Sequence, residues 1–118
     1  MKRKPEYYRD ALIIHLFLLG LTAMEIAKLK LSDIGQTTIW RPKLAEGYTY
    51  TPKYYIVISE QILPHIDAYM KLLRKQHEDS PLLRSIGGKG KLTNMPLTLD
   101  EVCMILETGG AYRTTENG

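Results

Sequence analysis

A chain of 118 residues can build one hydrophobic core of ordinary size but not two, so residues 1–118 are read as a single domain. Hydrophobic residues at 44% and charged residues at 25% are the proportions of a folded globular protein and exclude disordered, collagen-like and disulfide-scaffold classes. Sixteen Lys and Arg against thirteen Asp and Glu leave a net charge of +3, which permits a nucleic-acid partner without requiring one.

Residues 6–20 carry Tyr8, Ala11, Leu12, His15, Leu16 and Leu19 at helical spacing, and Ile13, Phe17 and Leu18 widen the apolar stripe until it is nearly all-round. That pattern predicts a core helix with His15 on its buried face. Its apolar run ends at Leu21, well short of the roughly 20 residues a membrane span needs. Gly20 stops the helix, and Thr22 with Glu25 three residues later forms a capping box for a second helix running to Leu29. Farther on, Thr37, Thr38, Ile39 and Trp40, then Tyr54 to Ile58, favour strands, while Pro42 forbids a long helix. Residues 37–58 therefore read as a β-hairpin turning near Ala45, Glu46 and Gly47. Ser59 precedes Ile62, Leu63, Ile66, Tyr69, Met70 and Leu73, which predicts an amphipathic helix to about His77 with Pro64 in its first turn. Residues 80–96 contain Pro81, three glycines, Arg84, Lys89 and Lys91, with no acid between Asp79 and Asp100, and read as an exposed basic loop. Thr98 and Glu101 form a second capping box. Leu99, Val102, Cys103 and Leu106 give the helix behind it an apolar face, Gly109 and Gly110 end it, and residues 108–118 read as a frayed tail. The predicted class is mainly α with a small antiparallel β-hairpin, that is, α+β.

Few residues ask for chemistry. Cys103 is the single cysteine and cannot form an intramolecular disulfide or a thiolate cage, and no secretory signal precedes the first helix, so a cytoplasmic setting is expected. His15, His65 and His77 share no metal-ligand spacing; no metal and no cofactor are expected. Tyr112 lacks neighbouring arginines that would make it a nucleophile. Tyr48, Tyr50, Tyr54 and Tyr55 could stack on bases, but alternating tyrosines on a hairpin read better as cross-strand packing. Arg41, Lys43 and Lys53 on the hairpin, with Arg84, Lys89 and Lys91 on the basic loop, are the candidate phosphate contacts, enough to release three to five counterions by rough count.

The order of these elements resembles a known family. Residues 8–21 (YRDALIIHLFLLGL), leading into 24–29 (MEIAKL) and 31–34 (LSDI), resemble the first conserved block of the tyrosine recombinase, or phage integrase, catalytic domain. Residues 56–61 (IVISEQ) resemble that family's strand-to-helix step, and 80–83 (SPLL) with 96–98 (PLT) its following loop and capped helix. The likeness covers residues 6–107 and implies the N-terminal portion of that domain. It also implies which chemistry is missing. The family's first catalytic arginine, which clamps the scissile phosphate, would follow Leu21, where this chain has Thr22, a good helix cap. The second histidine–arginine block and the tyrosine nucleophile have no counterpart up to Gly118, and only the hairpin lysine has candidates, Lys53 first and Lys43 second.

The expectation is an integrase-like DNA-binding domain, linked to DNA integration or recombination in a phage or mobile element, that neither cleaves nor joins DNA as this chain. It is the front half of a longer enzyme or a degenerate remnant, with weak affinity for double-stranded DNA and no membrane partner. Two other classes compete. A winged helix-turn-helix regulator would use residues 21–29 and the stretch after Gly47, but Pro42 would fall inside its recognition helix. A protein-protein module would self-associate or pair with an intact, related recombinase through the apolar first helix.

Overall fold

The computed structural model describes residues 3–42, 55–73 and 77–110. The first helix, α1 (Pro5–Leu19), starts where Pro5 presets the helical φ and stops at Gly20, whose φ of 120° only glycine adopts without strain. The Leu21 N–H then turns back to the Leu16 carbonyl at 3.2 Å, satisfying an acceptor the helix leaves open. Thr22 caps α2 (Ala23–Lys28) as the capping box predicts: the Glu25 N–H donates to Thr22 Oγ1 and the Thr22 N–H to Glu25 Oε1. A 3₁₀ turn follows at Leu31–Asp33, held by the Lys30 N–H donating to Asp33 Oδ2 at 2.9 Å.

Strands β1 (Thr38–Trp40) and β2 (Tyr55–Val57) pair antiparallel, with Thr38 opposite Val57 and Trp40 opposite Tyr55. The hairpin's turn, with Lys43, Lys53 and Tyr48, Tyr50 and Tyr54, lies outside the described residues. Helix α3 (Leu63–Met70) is shorter than the expected span from Ser59 to His77. Ser59 makes a turn first, accepting from the Ile62 and Leu63 N–H groups, and Leu72 and Leu73 close with short i→i−3 bonds that tighten the end into a turn.

The expected basic loop is a second antiparallel hairpin, β3 (Arg84–Ile86) with β4 (Leu92–Pro96), joined through Gly87–Gly90. Ser85 and Thr93 share a cross-strand hydrogen bond of 2.6 Å between their hydroxyls, a pairing hidden by the glycines and lysines that dominate the composition there. Helix α4 (Leu99–Thr108) is capped by Thr98 and Glu101 and ended by Gly109 at φ 76°. Val102 and Ile105 are buried in the core and Leu106, expected on that face, packs against it; Leu99, expected there too, is exposed at the first turn. Residues 111–118, most of the expected tail, lie outside the description.

This is an α+β arrangement of four helices and two small antiparallel sheets among the described residues. Helix α1 packs against α2, α3 and α4 and touches β3. Leu12, Ile13 and Leu16 of α1 meet Ile26, Ile39, Ile66, Tyr69, Leu82 and Val102 in one core, each large apolar side chain contributing roughly 1.5–3 kcal/mol by leaving water. No helix among the described residues is long and apolar enough to cross a membrane.

Candidate nucleic-acid interface

The β3–β4 connection is tight because glycine permits it. The Gly87 N–H donates to the Lys91 carbonyl and the Gly90 N–H to the Gly87 carbonyl, both at 2.9 Å, while Gly90 takes a φ of 74°. The turn leaves Lys89 and Lys91 exposed, and neither is in an ion pair among the described residues. Two exposed ammonium groups on a short hairpin can follow a phosphate backbone without first leaving a carboxylate among the described residues.

Arg84, at the root of the same hairpin, behaves differently. It was expected on an exposed loop, yet it is 2% exposed and cannot touch a duplex surface. Its Nε donates to the Pro81 carbonyl at 2.8 Å, its carbonyl accepts from Arg9 Nη1 at 3.1 Å, and its Nη2 is buried without a hydrogen-bond partner among the described residues. Arg9 is held in turn by Asp10 through a buried 2.9 Å ion pair. Beside them, the Tyr69 hydroxyl donates to the Leu82 carbonyl at 2.7 Å. Burial pushes the Tyr69 phenol up to about 12, against the lowering effect of the Arg84 N–H and of the two arginine charges. Sequence reading missed this seam. The signal available was a charged Arg9–Asp10 pair set inside an otherwise apolar helix, a place where charges need partners.

Arg41 is also spent on structure. Its Nε and Nη2 grip the two Glu25 carboxylate oxygens at 2.8 and 3.0 Å, and Nη2 also reaches the Gly20 carbonyl at 3.0 Å. Burial alone would raise the Glu25 carboxyl, but the Arg41 and Thr22 hydrogen bonds and the Arg41 charge outweigh it and hold the group below its ordinary value. The head of α2 is thus closed by a capping threonine, a bound carboxylate and a bidentate guanidinium, with Arg41 side-chain exposure of 12%. Of the six candidate phosphate contacts, Lys89 and Lys91 are on the surface with no ion-pair partner among the described residues, Arg41 and Arg84 are engaged within the fold, and Lys43 and Lys53 lie outside the described residues.

Tertiary packing brings together two histidines that the sequence keeps apart. His15 of α1, half-buried rather than buried, stacks on His65 of α3 with ring centroids 3.8 Å apart and planes 26° from parallel. Because the Ala11 carbonyl 2.8 Å from His15 Nδ1 can only accept, that nitrogen carries a proton. Burial, then the charge on His15, lowers the His65 pKa. No group of three or more metal-ligating side chains occurs among the described residues, and His77 sits 3.7 Å from Asp79 at the exposed surface. Cys103 is a half-buried free thiol. Trp40 packs on Tyr55 across the first hairpin with centroids 5.5 Å apart, the cross-strand role expected for Tyr55. Tyr112 lies outside the described residues. In comparisons with known proteins, no family model, no curated protein and no solved structure matches the chain.

Proposed function

We propose that the chain is an integrase-like DNA-binding domain, of the kind linked to DNA integration or recombination, that contacts duplex DNA without cutting it. The observation that carries this reading is the acid-free β3–β4 hairpin, which offers Lys89 and Lys91 to solvent with no ion-paired carboxylate among the described residues. The element order supports it: a core helix, a glycine stop, a threonine-capped second helix and an antiparallel strand pair follow one another as in the resemblance. The strand at Thr38–Trp40 weighs against the winged helix-turn-helix alternative, which needs a recognition helix there. Catalysis is absent from the reading because Thr22 occupies the arginine position and the nearby Arg41 guanidinium is committed to Glu25.

Fluorescence anisotropy on a generic duplex at several salt concentrations tests the reading. With Arg84 and Arg41 engaged, the count of described phosphate contacts falls to Lys89 and Lys91, so the log–log salt slope is about −2, and each lysine of the first hairpin that also touches phosphate adds about −0.9. Replacing Lys89 and Lys91 together by alanine flattens the slope by about 2 units and weakens all sequences alike. Absence of binding by the parent at low salt would overturn the proposal and shift weight to the protein-protein alternative, which sedimentation with and without an intact recombinase would read. A nicked suicide substrate should yield no covalent adduct.

A further inference from the structure

A cleft of about 680 Å³ opens between the last turn of α2, the 3₁₀ turn, Arg41 and Pro42, and the segment leading into β3. Backbone pairing builds its wall. The Leu31 N–H donates to the Ser80 carbonyl at 3.0 Å and the Leu82 N–H to the Leu29 carbonyl at 2.9 Å, pinning the Pro81 segment against the exit of α2. Lys28, Lys30 and Arg41 bring positive charge to the lining, and Asp33 and Asp79 bring negative.

With Arg41 set aside, Lys28 and Lys30 balance Asp33 and Asp79 within the lining, so a positive surplus must come from behind it. Arg41 is neutralised by Glu25, and one Asp33 oxygen is occupied by the Lys30 N–H. Lys28 and Lys30 are in no ion pair among the described residues. Behind the wall stands a third cation with no carboxylate partner among the described residues: Arg84 donates to the carbonyl of Pro81 and pairs in the sheet with Pro96, and both prolines line the cleft. Its Nη2 is buried with no hydrogen-bond partner among the described residues. A buried guanidinium with no counter-ion raises the potential of the space next to it, because low-dielectric surroundings screen it poorly.

We propose that this cleft is a binding site for a single phosphate group, held by Lys28 and Lys30, with Arg84 supplying positive potential through the Pro81–Pro96 wall. The two carboxylates decide what carries the phosphate. A continuous duplex backbone would bring several phosphates past Asp33 and Asp79, and like charges would repel it. A terminal phosphomonoester brings one, followed by sugar hydroxyl and base amino groups that can donate to those carboxylates. The ligand is therefore a nucleotide, either free or at the 5′ end of a strand. The strand-end case rests on the nucleic-acid reading proposed above; the free nucleotide does not.

Amide NMR shifts of the full chain test the site with four probes: inorganic phosphate, a deoxynucleoside 5′-monophosphate, and one short single strand with and without a 5′-phosphate. The monophosphate should move the amides of Lys28, Lys30, Asp33 and Leu82, and the Lys28→Ala/Lys30→Ala variant should lose at least about tenfold in affinity. A 5′-phosphorylated strand that shifts these amides while its unphosphorylated twin does not identifies a strand end; a response to the monophosphate alone identifies a free nucleotide. Equal shifts by the two strands, shifts centred on Lys89 and Lys91, or a response to inorganic phosphate that no nucleotide exceeds, meaning an adventitious ion only, would each overturn the proposal. Duplex binding through Lys89 and Lys91, measured separately by anisotropy, stands or falls without altering these outcomes.

Discussion

The two ends of the β3–β4 hairpin hold basic residues five to seven positions apart in the chain and use them in opposite ways. At the root, Arg84 is 2% exposed and ties the Pro81 carbonyl and Arg9 into one buried seam with Tyr69, its Nη1 reaching the exposed Asn94. At the tip, Lys89 and Lys91 stand in water with no ion-pair partner among the described residues. Residue type alone does not separate these roles. A planar guanidinium can be desolvated and still satisfy several carbonyls, whereas an ammonium held away from any acceptor stays hydrated and available to phosphate.

The comparison predicts that stability and DNA affinity divide between root and tip. The largest effect on stability is expected from Arg84→Ala, which leaves a cavity and an unpaired Pro81 carbonyl; chemical denaturation should show a loss of about 2–4 kcal/mol. If the variant remains folded, its duplex salt slope should match the parent's, and a flattened slope would show that root and tip do not divide these roles.

Next comes Tyr69→Phe, which orphans the buried Leu82 carbonyl and should cost about 1–3 kcal/mol in the same measurement. The raised phenol pKa adds a pH signature. A group whose native pKa lies above its unfolded value of 10 supplies stability that is complete below pH 10 and lost as pH rises toward about 12. The Phe variant should lack that component of the alkaline transition, which denaturation curves between pH 9 and about 12 would resolve.

Smaller effects belong to the acid side. His65 has a lowered native pKa, so the stability it supplies is complete above 6.5 and declines as pH falls below that value. Glu25, also lowered, supplies stability that is complete above 4.5 and is lost in a second, more acidic phase. Thermal melts of the parent and of His65→Asn across pH 5–8 should converge toward acid pH as the first component disappears.

The smallest change in stability is expected from the paired Lys89→Ala and Lys91→Ala substitutions, within about 0.5 kcal/mol of the parent. The same variant should show the largest change in salt slope. A loss of stability comparable with that of Arg84→Ala would show the tip to be structural after all.

Both capping boxes were legible as sequence because each is a local hydrogen-bond exchange over four residues, completed by Thr22 with Glu25 and Thr98 with Glu101 whatever the rest of the chain does. The glycine stops at Gly20 and Gly109 were legible for the same reason. The second hairpin was not, because strand pairing between Ser85 and Thr93 leaves only a weak trace in a segment where three glycines and two lysines suggest a loop. Of the candidate interface, the positions of Lys89 and Lys91 followed from composition. The engagement of Arg41 did not, since its Glu25 partner is 16 residues earlier and nothing local links them.

The amino-acid sequence by itself determined the local events of this protein: helix starts and stops, the Pro42 barrier to a long helix, the apolar face of α1 and the surplus of basic charge. These depend on interactions within a few residues, whose geometry each segment carries with it. Only the tertiary structure decided which charges are free, stacking His15 on His65, burying Arg84 beside Arg9 and Tyr69, and joining Arg41 to Glu25. Desolvation and long-range pairing depend on every element packed around a side chain, so the availability of a cation to a ligand is a property of the assembled core and not of the residue's own neighbourhood in the chain.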